Sequence, residues 1–121
     1  MMPKDTNAYG TIFGGVILSL IDQAGFDEAR QHGIHRWVTV AFDAIEFKRP
    51  VYCGDVVSLY TEVSREGGTS LEINVEVWSD RYNERKTELV TQGSLTMVSV
   101  NADGKPIAWS SPSTLTPDDS R

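Results

Sequence analysis

From Asp5 to Arg30 the chain reads DTNAYGTIFGGVILSLIDQAGFDEAR, a turn-rich segment that runs into a glycine pair and then into an apolar periodic stretch. Val16, Ile17, Leu18, Leu20, Ile21, Ala24, Phe26 and Ala29 recur at helical spacing, which places Gly14 and Gly15 at a helix N-terminus. Glycines there let a backbone or ligand come close, and the unpaired N–H groups of the first turn point outward with the positive end of the dipole. Such an end suits an anion or a polarised carbonyl. Two turns in stands Asp22, which a 100° helical step puts at the edge of the apolar arc, between Phe26 and Ala29. On spacing alone a carboxylate there is most often an ordinary boundary residue, and Gly-Gly before a helix is commonly just a turn. The combination carries more: Asn7 in a turn, Gly10, Phe13-Gly14-Gly15, then a helix with one misplaced acid.

Beyond this helix, Gln31 to His35 ends it, with Gly33 expected as the C-cap and His32 and His35 as surface or capping residues. Trp37 to Phe47 is rich in β-branched and aromatic residues; Val38, Val40 and Phe42 alternate with polar or small neighbours until the phase slips at Ala44-Ile45, as at a bulge or in a strand buried on both faces. Lys48-Arg49-Pro50 breaks that strand and Cys53-Gly54-Asp55 turns the chain. Val57, Leu59, Thr61 and Val63 keep one parity, Gly67-Gly68 makes a hairpin, and Leu71, Ile73, Val75 and Val77 oppose Ser70, Glu72, Asn74 and Glu76. Polar Asp80 to Glu88 leads to a last strand from about Leu89 to Val100, with Leu89, Thr91, Leu95 and Met97 on one side, and Asn101 to Gly104 is a turn. One helix followed by four strands at hairpin spacing predicts an α+β fold, an antiparallel sheet curled around a central helix. Such a sheet leaves a face and edges to cover, so a lone subunit is incomplete.

The 121 residues, 40% of them hydrophobic, fit one domain over residues 1–109, with 110–121 (SSPSTLTPDDSR) expected as a flexible tail. A net charge of −6 argues against general nucleic-acid binding. The single cysteine, Cys53, allows no internal disulfide and reads as buried filler in a reducing compartment. No stretch approaches a membrane span and no signal peptide is evident, which points to the cytoplasm. Too few ligand types cluster for a metal site.

The pattern DTNxxGxIFGGxxLSxxDxAG, from Asp5 to Gly25, resembles the acyl-CoA thioesterases of the hotdog superfamily, in particular the YciA-like group and the related brain-type acyl-CoA hydrolases. The likeness continues through VTVAFDAIEFKRPVYCGDVVSLYTEV and GGTSLEINVEVWSD to GSLTMVSVNADGKP, about four fifths of the chain. Members of that group carry a short first strand before the Asn-containing turn; here only Met1 to Lys4 precede Asp5. The resemblance implies the hotdog fold, hydrolysis of acyl-CoA to a free acid and coenzyme A, no cofactor, and a homodimer assembled further into a trimer of dimers. It also implies that Asp22 acts as nucleophile or general base and that Asn7 positions water or substrate.

A thioester carbonyl needs donors where negative charge builds on oxygen and a group that attacks or activates water. Gly14 and Gly15 supply the first and Asp22 the second, but seven or eight residues of helix separate them by about 10–12 Å. The site is therefore expected to be shared across a dimer. Candidates for the coenzyme A phosphates are Lys48, Arg49, Arg65, the turn Gly68-Thr69-Ser70, and Arg81, Arg85 and Lys86, each of which also reads as an ordinary surface group; Thr69 and Ser70 match the family best. Two alternatives stand beside hydrolysis. Hydratases of this fold resemble sequences with a histidine in the site, and neither His32 nor His35 falls in the matched motif. A non-catalytic acyl-CoA binding or regulatory module is the other, against which Asp22 and Asn7 both weigh.

Overall fold

The computed structural model describes residues 14–52, 54–81 and 86–115, except the side chains of Arg81 and Lys86. Asn7 and Cys53 lie outside the described residues, as does the polar segment 82–85. Helix α1 (Gly14–His32) is followed by strands β1 (Arg36–Phe47), β2 (Val56–Glu66), β3 (Ser70–Arg81) and β4 (Lys86–Val100). The strands form one antiparallel sheet in the order β1-β4-β3-β2. The β2–β3 and β3–β4 connections are hairpins, but β1 and β2 occupy opposite edges. Hairpin spacing between β1 and β2 therefore misleads: the two strands lie at opposite edges, and Val51 between them is buried.

The helix packs on one face of the sheet with a stripe formed by Ile17, Ile21, Gly25, Phe26 and Ala29. Opposite it lie Leu71, Ile73, Val75 and Val77 of β3 with Leu95 and Met97 of β4, all without solvent exposure. The alternation expected for β3 is realised, with Asn74 and Glu76 exposed on the outer face. The phase slip in β1 is a bulge: pairing with β4 shifts between Asp43 and Glu46, and Ala44 takes a φ of 52°. In β4 the parity differs from expectation, because the register shifts where Val77 pairs Thr91 and Trp78 pairs Leu89. Val90 is the extra residue and is buried, so Leu89 sits out of phase with Thr91, Leu95 and Met97.

Three features at the helix exit correct the sequence reading. Gly33 has no positive φ and is not a left-handed cap; a Cβ there would lie 2.6 Å from the Trp109 carbonyl oxygen and 2.9 Å from the His35 ring, so close approach is what requires glycine. His35 is fully buried rather than at the surface, its Nδ1 3.0 Å from Thr114 Oγ1 and its Nε2 3.0 Å from the Trp109 carbonyl. Part of the segment expected to be a tail is fastened here too: the Thr114 and Leu115 N–H groups donate to the Ile34 carbonyl.

Gly25 sets how near the helix comes to the sheet, since a Cβ there would fall 2.6 Å from Leu95 Cδ1. Leu95 is fully buried, so its methyl groups must shift within the packed core to admit one. Gly25→Ala gains roughly 1 kcal/mol of helix propensity against about 1–3 kcal/mol of overpacking. The expected outcome is a net loss of stability on the order of 1 kcal/mol, read as a lower denaturant midpoint with unchanged slope.

Candidate active site

Asp22 follows Ile21 by one residue, so while Ile21 points into the sheet, Asp22 emerges at the flank of α1 that faces β1. In the first part of β1 the residues turned toward the helix are Trp37 and Thr39, paired with Ser99 and Met97 of β4. The Thr39 hydroxyl donates to Asp22 Oδ1 at 2.5 Å and lies 3.0 Å from Met97 Sδ. A hydroxyl has one proton, and a carboxylate is a far better acceptor than a thioether, so the proton belongs to Asp22.

Directly after Thr39 the register slips before Ala41, so Val40 leaves the ladder. That slip opens a groove of about 550 Å³ beside the carboxylate, lined by Leu18, Ser19, Asp22, Thr39, Val40, Ala41 and Phe42. Val40 and Phe42 are 58% and 43% exposed on the edge strand. Thr39 carries no motif of its own, and the apolar alternation Val38, Val40, Phe42 sets it on the polar side of the strand; in the fold the parity is reversed, with Trp37 and Thr39 turned inward and Val38 and Val40 exposed.

The helix N-terminus opens elsewhere. Gly14 lines a second cavity of about 320 Å³ with Ile17, Phe47, Lys48, Arg49, Pro50, Val51 and Thr91. Gly15 is exposed, and a Cβ on it would meet nothing within 4 Å. Thr91 Oγ1 is buried without a hydrogen-bond partner. The two cavities share no lining residue.

The basic candidates do not gather in one place. Lys48 and Arg49 stand beside the start of the helix, where Lys48 Nζ is 3.2 Å from Glu46. Arg65, paired in register with Glu72, and the Gly68-Thr69-Ser70 turn lie at the β2–β3 hairpin, on the side of the helix exit. Arg81 faces Lys86 across the β3–β4 hairpin. A helix of 19 residues, roughly 28 Å long, separates the first group from the second within one subunit. Among the described residues no three His, Cys, Asp or Glu side chains are grouped to hold a metal, and no helix is long and apolar enough to cross a membrane.

The thioesterase superfamily model matches residues 9–84, well over half of the chain. The chain belongs to the thioesterase superfamily. Within the matched span lie Asp22, Thr39, Lys48, Arg49 and the Gly68-Thr69-Ser70 turn. Among similar superfamily members, the acyl-CoA thioester hydrolase YciA of Salmonella typhimurium is 41% identical over 110 residues, covering 87% of this chain and 81% of the relative. The solved hexameric thioesterase y2039 of Yersinia pestis superposes with a TM-score of 0.86 at 38% identity, covering 91% of this chain and 90% of that one. Cj0915 of Campylobacter jejuni, described as a hexameric hotdog fold thioesterase, gives a TM-score of 0.81 at 44% identity over 89% of this chain and 84% of its own. The helix and four-stranded antiparallel sheet of this thioesterase superfamily member are the hotdog fold.

Proposed function

We propose that this chain hydrolyses acyl-CoA thioesters to a carboxylic acid and coenzyme A, with Asp22 as the reacting carboxylate. The observation that carries this reading is the Thr39–Asp22 hydrogen bond at the wall of an open groove, within the span matched by the superfamily. Bonded to the Thr39 hydroxyl, the carboxylate is held in place while the groove gives a substrate access to it. As general base, Asp22 takes a proton from water as the water oxygen bonds to the carbonyl carbon; the C–S bond then breaks and the thiolate leaves, to be protonated. As nucleophile, its oxygen bonds to that carbon, the thiolate leaves, and water opens the resulting anhydride. Both routes place negative charge on the carbonyl oxygen, where the N–H groups at Gly14 and Gly15 are suited to meet it.

One subunit does not bring these parts together. Support for a site shared between two subunits comes from the separate cavities of Asp22 and Gly14 and from the exposed edge strand β1, whose Val40 and Phe42 line the Asp22 groove. In this reading a second copy closes the groove and brings its own helix N-terminus to the carbonyl. A hexamer built from three such dimers agrees with the hexameric state of the Yersinia pestis and Campylobacter jejuni proteins. Lys48, Arg49 and the Gly68-Thr69-Ser70 turn are assigned to the coenzyme A phosphates, met from neighbouring subunits because they stand at opposite ends of one. Asn7 is assigned to positioning water or substrate, the site needs no cofactor, and the cytoplasm is the proposed location.

Release of free thiol from a panel of acyl-CoAs, short to long, tests the assignment. Asp22→Asn is expected to lower turnover by about 10²–10⁴-fold while the protein stays folded; a wild type that binds acyl-CoA but releases no thiol contradicts hydrolysis and favours a binding module. Thr39→Val removes one hydrogen bond to a charged group, so a loss of about 10- to 100-fold in kcat/KM is expected, with Thr39→Ser restoring most of it.

A further inference from the structure

The segment after β4 doubles back over the molecule. Asn101 Oδ1 accepts the N–H groups of Asp103 and Lys105 and so closes a turn. The Ile107 N–H then donates to the Ser99 carbonyl, and Ser99 Oγ donates to Ile107 O at 2.7 Å. Trp109 is the junction of this arm with the rest of the fold. Its indole Nε1–H donates to the Gly67 carbonyl at 2.7 Å and its backbone N–H to the Gly68 carbonyl at 3.3 Å. Its own carbonyl lies 3.0 Å from His35 Nε2, and its ring meets His32 edge to face at 6.2 Å. Next along the hairpin, the Thr69 carbonyl accepts the Ser99 N–H at 3.0 Å and faces Ser99 Oγ at 3.3 Å.

Three successive carbonyls, those of Gly67, Gly68 and Thr69, are thus all taken by the arm and the end of β4. The described chain has no cis peptide. In a trans peptide the carbonyl and the following N–H point to opposite sides, so the N–H groups of Gly68 and Thr69 are turned away from the arm. Gly68 is exposed, and a Cβ on it would meet nothing within 4 Å, so no other part of the described chain packs over the turn at that position. Consecutive N–H groups presented on one side of a turn suit an anion.

A hairpin built on Gly67-Gly68 is intrinsically free to take many conformations. Ordering it when substrate binds would cost affinity, and an element that orders it beforehand removes that cost.

We propose that Trp109 is a positioning residue for substrate, holding the Gly67-Gly68 turn so that the Gly68 and Thr69 N–H groups face a phosphate of the coenzyme A moiety. This inference rests on acyl-CoA being the substrate and on the Gly68-Thr69-Ser70 turn meeting it. A short acyl-CoA and the matching acyl-pantetheine, which lacks the phosphates, separate positioning from general damage. Trp109→Phe keeps the ring and removes the indole donor. The expected result is a KM for acyl-CoA raised about three- to tenfold, with kcat and both constants for acyl-pantetheine unchanged. Equal losses on both substrates, or a fall in kcat at constant KM, would make Trp109 merely structural and overturn the proposal. Ser99→Ala, which leaves the indole in place, is expected to give the same split and keeps the test available if the tryptophan variant does not fold. Coenzyme A binding by calorimetry needs no turnover: weaker binding to either variant than to wild type supports the clasp even if no thiol is released, whereas equal binding, or none to wild type, overturns it. Failure of hydrolysis and failure of positioning are thereby told apart.

Discussion

The seating of one helix across the sheet governs everything else in this molecule. Ile17, Ile21, Gly25 and Ala29 form a single buried stripe, and at Gly25 the absence of a side chain lets the helix backbone approach Leu95. With rotation and height set by that stripe, the residue after Ile21 has one place to go. Asp22 comes out beside β1, where Thr39 is turned toward the helix by the pleat of the strand and meets it. A carboxylate that reads in the sequence as a boundary residue is therefore held by a specific donor. The same seating sends the helix N-terminus to the far end of the sheet, into a cavity of its own beside Lys48 and Arg49.

Much of this was legible because it depends on period. The 3.6-residue repeat of the helix, the alternation of Leu71 to Val77, the Gly67-Gly68 hairpin and the slip at Ala44-Ile45 are local patterns, and each reappears in the fold. What stayed hidden depends on contacts between residues distant in sequence. His35 looks like a surface histidine until Thr114, 79 residues later, is found against it. Gly33 looks like a cap until the Trp109 carbonyl occupies the space its side chain would need. The crossing from β1 to β2 is spaced like a hairpin, and only β4 pairing between β1 and β3 shows that it is none. Thr39 is hidden for a similar reason, since its place comes from Asp22 on another element and not from its neighbours in sequence.

In the proposed reading, a subunit with Asp22 at one exposed edge and its helix N-terminus in another cavity holds two half-sites rather than one site. Twofold symmetry resolves that arrangement economically, because pairing like edges brings unlike half-sites together twice. Burial of Val40 and Phe42 on association would also exclude water from the groove and strengthen the interactions within it.

Mixing two inactive variants tests this sharing most directly. Asp22→Asn removes the carboxylate. Gly15→Glu places a negative charge at the helix N-terminus, in open space where the fold tolerates it. Co-expressed in equal amounts, random pairing makes half of the dimers mixed, and each mixed dimer has one intact site of two. Sharing across the dimer therefore gives recovery of about a quarter of wild-type thiol release. Mixed oligomers as inactive as either parent would contradict it and return the whole site to a single subunit.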